Sequence, residues 1–225
     1  RKINYLRISI TDRCNLRCRY CMPEEGIPII PHGEILTYEE LLRIVCVFAT
    51  EGISKVRLTG GEPLVRIGLP DLVRMLSGIK GIDDMALTTN GTLLAECAER
   101  LGEVTCLVNN ASLFEADTAR SFSARRLERH MRLNLVAPVI LARQLHERVP
   151  DGGEAVVINL LDQKLWNPNP DFLSYTLSKS ALGAATDLLA RALAPKLRVV
   201  GLAPGITLPA RGQSRAGFER ASRLT

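Results

Sequence analysis

The stretch Lys55-Val56-Arg57-Leu58-Thr59-Gly60-Gly61-Glu62-Pro63 opens with a short apolar run, breaks at a glycine pair and leads into helical spacing over Leu69 to Ser77. A strand, a turn and a helix in that order make half of a βαβ unit, and the same grammar recurs on both sides. Candidate strands are Leu6 to Ile10, Lys55 to Thr59, Met85 to Thr88, Val104 to Val108, Ala155 to Leu160 and Leu197 to Leu202. Candidate helices lie near Thr37 to Glu51, Leu69 to Ser77, Leu93 to Leu101, Ala124 to Glu147 and Tyr175 to Ala194. The alternation predicts an α/β fold, strands and helices around a largely parallel sheet. Thr37 and Glu40 have capping-box spacing, and Gly52 suits the end of that helix. Pro168-Asn169-Pro170 reads as an extended loop, because each proline pushes its predecessor out of the helical region. No internal repeat and no low-complexity linker separates the halves.

The chain has 225 residues, of which 46% are apolar and 24% charged, so it can bury a sizeable core. Its net charge of +5 comes from Lys and Arg interleaved with Asp and Glu, a balance that suits anionic small molecules as well as any larger anion. Of the arginines at 120, 125, 126, 129 and 132, Arg125, Arg129 and Arg132 are three to four apart beside Glu128, as on a solvated helix face. Aromatic residues make up only 4%, too few for base-stacking platforms, so no nucleic-acid partner is expected. There is no apolar run long enough for a membrane span, and no charged-then-apolar leader precedes Tyr5, so the default expectation is cytoplasmic, with no membrane partner.

Cys14, Cys18 and Cys21 crowd into a short loop after the first strand, which in a reducing compartment points to metal and not to disulfides. Three thiolates can hold three irons of a [4Fe-4S] cube and leave the fourth open to a ligand. A zinc site is the alternative, but zinc favours four closed ligands, and the only histidine within reach is His32. Cys46, Cys97 and Cys106 lie in apolar surroundings and are expected to be buried and inert.

Cys14-Asn15-Leu16-Arg17-Cys18-Arg19-Tyr20-Cys21 together with Gly60-Gly61-Glu62-Pro63 resembles the radical S-adenosylmethionine superfamily. Leu6-Arg7-Ile8-Ser9-Ile10-Thr11-Asp12-Arg13, Lys55 to Thr59 and Leu87-Thr88-Thr89-Asn90-Gly91-Thr92 resemble, within it, the GTP 3′,8-cyclase family of molybdenum-cofactor biosynthesis. The resemblance implies that Cys14, Cys18 and Cys21 hold a [4Fe-4S] cluster. It implies that Tyr20, Gly60, Gly61 and Glu62 form the S-adenosylmethionine site, and that Arg7, Arg57 and Thr88 face GTP. Arginine forks suit phosphate oxygens, and a Gly-Gly turn lets backbone donors approach a ligand closely. Outside that context Arg7 and Arg57 read as solvated strand-end charges. The pattern stops after Glu96, and no cysteine follows Cys106, so the family's second cysteine trio has no counterpart.

The second half carries Leu107-Val108-Asn109-Asn110-Ala111-Ser112, Asn134, Tyr175-Thr176-Leu177-Ser178-Lys179 and Ala203-Pro204-Gly205, in an order that resembles the short-chain dehydrogenase/reductase family. Tyr175 and Lys179 are one helical turn apart and share a face. The bland alternative is an ordinary helix-surface pair. The resemblance implies catalytic roles for Asn134, Asp162, Tyr175 and Lys179, and cofactor contacts at Asn109 and Ala111. Lys179 is expected to bring the Tyr175 phenol toward neutrality. Asp162 stands where most members have serine; with Trp166, Pro168 and Gly205-Ile206-Thr207-Leu208-Pro209 it resembles the pteridine and dihydromonapterin reductase branch. Read alone, Asp162 is a strand-end cap. NADPH is the implied cofactor, but no glycine-rich strand-to-helix turn occurs to seat its pyrophosphate, so binding is not expected to be tight.

The chain therefore reads as a hybrid, with residues 1–96 a partial radical-enzyme barrel and residues 97–225 a partial Rossmann-like reductase. The expected partner is a small molecule, GTP or a pterin, and self-association is implied only by the reductase resemblance. An NADPH-dependent pterin reductase and a non-catalytic chimeric α/β fold are the alternatives.

Overall fold

The structure, a computed structural model, describes residues 3–18, Cys21, Glu25 and residues 27–205 and 214–222. It divides into two compact units, Arg1–Gly102 and Glu103–Thr225. The parallel α/β alternation is present, with the strands shared between two three-stranded sheets, one in each unit.

The first unit runs β1 (Tyr5–Ser9), α1 (Tyr38–Thr50), β2 (Lys55–Thr59), α2 (Leu69–Ser77), β3 (Asp84–Leu87) and a short α3 (Leu94–Cys97). The three strands pair in the order β1-β2-β3, which sets Arg7 opposite Arg57 and Leu58 opposite Leu87. The capping box is as expected: Thr37 Oγ1 accepts from the Glu40 amide at 3.2 Å, and Glu40 Oε2 accepts from the Thr37 amide at 2.7 Å. On α2, Leu69, Leu72 and Leu76 recur three and four residues apart and form one apolar stripe. They pack with Leu41 and Val45 of α1 against Val56 and Leu58, and each buried leucine contributes about 2 kcal/mol. Alternate residues of the sheet, Tyr5, Arg7, Ser9, Lys55 and Arg57, are exposed on its other face.

The second unit runs β4 (Cys106–Asn109), α4 (Ala124–Met131), α5 (Ala137–Arg148), β5 (Ala155–Leu160), α6 (Leu173–Ala192), β6 (Leu197–Leu202) and α7 (Arg215–Ser222). Its sheet order is β4-β5-β6, and Ala142, Leu145 and Val149 pack on Ala155, Val157, Leu197 and Val199. No described helix is long and apolar enough to cross a membrane.

Several boundaries differ from the sequence expectation for physical reasons. The helix expected over Ala124 to Glu147 is split by a π turn at Arg132–Val136. Pro138 explains the split: it has no N–H to give to the carbonyl four residues back, at Asn134, and its ring crowds that carbonyl. The helix expected to begin at Tyr175 begins at Leu173, after Phe172 in a left-handed conformation with φ of 57°. The segment around Leu93 to Leu101 tightens after Cys97 into a 3₁₀ turn, Ala98–Arg100. Cys46 and Cys106 are exposed, contrary to the burial expected of them, because each falls on the outward side of its element; Cys97 packs against the first core.

Candidate functional site

In the first unit, Cys14, Cys18 and Cys21 line one cavity of about 260 Å³ together with Ser9, Thr11, Gly60 and Gly61. The loop rises directly from the end of β1, and the glycine pair follows β2, so two neighbouring strand ends supply opposite walls. The backbone donors expected to meet a ligand are already engaged. The Gly61 amide donates to the Thr11 carbonyl and the Glu62 amide to the Arg13 carbonyl, both at 2.8 Å. Glycine is required here by that close approach: a Cβ at Gly61 would lie 2.3 Å from the Arg13 oxygen, and one at Gly60, where φ is 146°, would lie 2.2 Å from the Thr11 oxygen.

Glu62 is buried, with both carboxylate oxygens engaged inside the chain. Oε1 accepts from the Leu64 amide at 3.0 Å and the Thr89 hydroxyl at 2.7 Å, and Oε2 accepts from the Asn90 amide at 2.6 Å. Glu62 thus holds the glycine turn against the segment after β3. Asn90 continues the link, donating to Asn15 Oδ1 at 2.8 Å and approaching Cys14 Sγ at 4.0 Å, while Asn15 donates to Thr92 Oγ1 at 2.8 Å. Three motifs far apart in sequence are therefore stitched into one wall. Asn15, Asn90 and Thr92 lay inside quoted motifs, but nothing in the sequence singled them out.

Among the described residues, no group of three His, Cys, Asp or Glu side chains is arranged to hold a single metal ion. The thiols border a hollow instead, which is what a cube taking one thiolate per iron requires, and the residues present fit that group. Tyr20 lies outside the described residues. Arg7 and Arg57 are neighbours on the exposed sheet face; Arg7 Nη2 donates to Thr59 Oγ1 at 3.4 Å and the Arg57 guanidinium lies 5.8 Å from the Tyr5 ring centroid. Thr88 is exposed just past the end of β3, its amide bonded to the Leu58 carbonyl at 3.0 Å.

In the second unit, the Tyr175 hydroxyl donates to Asp162 Oδ2 at 2.7 Å, while Asp162 Oδ1 accepts from the Lys164 amide at 2.8 Å and caps the turn Gln163–Leu165. The cap and the site contact coexist, one oxygen each. Lys179 Nζ donates to the Leu160 carbonyl at 2.6 Å and lies 5.9 Å from the Tyr175 ring centroid. The expectation that Lys179 brings the phenol toward neutrality is overturned. Burial, then the hydrogen bond and charge of Asp162, hold the Tyr175 pKa well above its ordinary value. Burial lowers the Lys179 pKa, offset in part by Asp162.

Asn134, at the centre of the π turn, accepts from the Leu113 amide at 2.8 Å and donates to the Leu113 carbonyl at 3.0 Å and Ser178 Oγ at 2.9 Å. A π turn redirects side chains, and here it delivers a carboxamide to the helix that carries Tyr175. Asn109 is buried and donates to Asn159 Oδ1 at 2.8 Å; Asn159 in turn donates to Thr186 Oγ1 at 2.9 Å. The pair of bonds links β4, β5 and α6. Ala111 is exposed on the loop after β4, and Trp166 and Pro168 are exposed as well. Of the closing stretch Gly205 to Pro209, only Gly205 lies within the described residues.

Sequence reasoning missed Asn159, a polar residue interrupting an apolar strand, and Ser178, inside the Tyr175 to Lys179 spacing; both carried a visible signal. It also missed Phe114, whose ring stacks on Phe172 at 4.2 Å and 7° and meets Tyr175 edge-on at 4.7 Å and 85°.

The radical SAM superfamily matches residues 8–133, and the short chain dehydrogenase family matches residues 82–217. The chain is 61% identical to the GTP 3′,8-cyclase of Pelotomaculum thermopropionicum over 121 residues, 54% of this chain and 36% of that protein. It is 47% identical to that of Heliobacterium modesticaldum over 149 residues, 65% of this chain and 45% of that protein. It thus spans less than half the length of these cyclases. Among solved structures, FolM alternative dihydrofolate reductase 1 from Brucella suis, in complex with NADP, is 34% identical with a TM-score of 0.58, covering 80% of this chain and 73% of that one. The Brucella canis protein, complexed with NADP, is 27% identical with a TM-score of 0.57, over 96% and 77% of the two chains. With a cyclase-like cysteine cavity in one unit and a reductase-like Tyr175, Asp162 and Lys179 cluster in the other, the chain is a hybrid that belongs to both the radical SAM superfamily and the short chain dehydrogenase family.

Proposed function

We propose that the first unit is the core of a radical S-adenosylmethionine enzyme directed at an anionic nucleotide such as GTP. The observation that carries this reading is the single cavity lined by Cys14, Cys18, Cys21 and the Gly60-Gly61 turn. The three thiols would hold a [4Fe-4S] cluster, which supplies one-electron reduction of S-adenosylmethionine. Gly60 and Gly61 would form the floor on which that cofactor lies, with Glu62 fixing the turn from behind and Tyr20 as a further contact. Arg7 and Arg57 are register partners on one exposed face, Arg7 leaning toward Thr59 and Arg57 toward Tyr5, and among the described residues neither is paired with a carboxylate. Both are free to meet an anion, and phosphate oxygens suit the fork geometry. Thr88 would add a hydroxyl at the end of the same sheet. Anaerobic reconstitution with iron and sulfide tests the reading: about four irons per chain and dithionite-driven release of 5′-deoxyadenosine, both lost in Cys18→Ala, are expected. Failure to take up iron overturns it.

A second reading, reduction of a pterin, is favoured by one arrangement in the other unit. Phe114 and Phe172 form an aromatic stack beside Tyr175, and the raised pKa of Tyr175 keeps its proton in place at neutral pH. A flat heteroaromatic substrate suits that surface, Tyr175 suits a proton donor, Asp162 and Lys179 orient it, and Asn134 sets the helix that bears it. NADPH is the hydride source this reading requires, and weak binding is expected without a glycine-rich turn. Oxidation of NADPH by a dihydropterin or quinonoid pterin, lost in Tyr175→Phe, is the corresponding assay; no turnover at saturating NADPH overturns this second reading.

A further inference from the structure

Arg66 is used by neither of the sites above, yet its guanidinium joins both ends of the cysteine loop. Nη1 donates to the carbonyl of Ile10, the first residue past β1, and Nη2 donates to the carbonyl of Leu36, just before the Thr37 cap of α1, each at 2.6 Å. The same group lies 4.4 Å from the Tyr38 ring centroid, and the Tyr38 hydroxyl donates to the Ile67 carbonyl at 2.9 Å, bracing the arginine from its other side. Burial raises the Tyr38 pKa and the Arg66 charge opposes that rise, so the phenol stays a donor at neutral pH.

Cys14, Cys18 and Cys21 all fall in the stretch of chain between those two carbonyls, whose described residues are loop apart from a 3₁₀ turn at His32–Glu34. Arg66 follows the Gly60-Gly61 turn by one 3₁₀ turn, Pro63–Val65, and caps it through its own amide to the Pro63 carbonyl at 3.1 Å. One planar fork therefore ties the floor of the cavity to both feet of the loop that forms its wall. Lysine has no planar fork with which to hold two carbonyls at fixed spacing.

We propose that Arg66 is a positioning residue, a clasp that closes the base of the cysteine loop and sets the spacing between its thiols and the glycine turn. The clasp itself stands on the hydrogen bonds; its consequence for iron binding rests on the reading that the thiols hold a cluster. The test uses the full chain with Arg66→Met, which keeps the aliphatic stem, and Arg66→Lys, which keeps the charge. In the iron-free protein, amide exchange at residues 11–13 and 35–37 is expected to quicken about tenfold in Arg66→Met while the strands of both units exchange as in the parent. After reconstitution, iron content is expected to fall by about half or more, and the reduced cluster of Arg66→Lys is expected to show an altered electron paramagnetic resonance line shape. Parent-like exchange at both loop ends overturns the clasp. If Arg66→Met does not fold, Arg66→Lys decides alone: quickened exchange at either end supports the clasp and parent-like exchange overturns it. A parent chain that takes up no iron removes the cluster reading only, since the exchange comparison needs no iron.

Discussion

Tyr175 donates its hydroxyl proton to Asp162 across 2.7 Å, so the phenol of the second unit answers to a carboxylate before it answers to the ammonium of Lys179. This inverts the usual expectation for a tyrosine and lysine one helical turn apart. With an anion on its hydroxyl, Tyr175 is a reluctant base and a retained acid.

Stability against pH should report that contact. The folded pKa of Tyr175 lies above its unfolded value, so its contribution is complete below about pH 10 and is lost as pH rises through the folded pKa. Lys179 has the opposite sign: its depressed folded pKa lets stability rise with pH until its unfolded value of about 10.4. Urea denaturation followed by circular dichroism should therefore show a fall beyond about pH 10.5. The fall should shrink in Asp162→Asn, where burial remains but the charge is gone. An unchanged profile would mean that Asp162 contributes nothing to the shift.

Asn134→Leu should be costly despite its near-equal size. It strands the Leu113 amide and carbonyl and takes from Ser178 Oγ the bond it accepts, leaving only its donation to the Tyr175 carbonyl, and a loss of about 2–4 kcal/mol is expected in urea denaturation. Ser178→Ala, which removes one of those bonds, should cost about 1 kcal/mol. Equal losses would show that the network is not centred on Asn134.

Asp117→Ala should loosen the start of α6. Asp117 Oδ1 accepts from the Ser174 amide at 3.1 Å, its other oxygen accepts the Ser174 hydroxyl, and its carbonyl accepts from Leu173 at 3.3 Å. Loss of such a cap costs about 1–2 kcal/mol, and amide exchange at Ser174 should quicken first. Exchange confined to the far end of the helix would contradict this.

Gly61→Ala should abolish iron uptake, because its Cβ meets backbone atoms of Arg13 at 2.3 and 2.6 Å and neither can yield without opening the cavity wall. Gly33→Ala, with nothing within 4 Å of the added carbon, is the matched control and should reconstitute as the parent does. Iron analysis of the two variants side by side separates a local clash from a general loss of glycine.

What the sequence disclosed followed from local rules. β2, β5, β6 and α2 fell where periodicity put them, and the α1 cap was visible in Thr37 and Glu40 because both partners lie within one turn. What it withheld was non-local. The start of α6 depends on Asp117, 57 residues from Ser174 in the chain, and no spacing rule reaches that far. The π turn had a local cause in Pro138, but only the fold reveals that it aims Asn134 at Ser178. The close approach of the Thr11 and Arg13 backbone to Gly60 and Gly61 is likewise non-local, and no spacing rule reveals it.

The bridge from Glu62 to Asn90 has a consequence for the order in which the molecule is made. Cys14 leaves the ribosome before Asn90, and the side of its cavity held by Asn15, Asn90 and Thr92 cannot close until the segment after β3 has followed and docked. During that interval the thiols stand without that side of their cavity. Oxidation or stray metal capture at Cys14 is therefore most favoured before Asn90 docks, and the protein is best handled without oxygen while it folds.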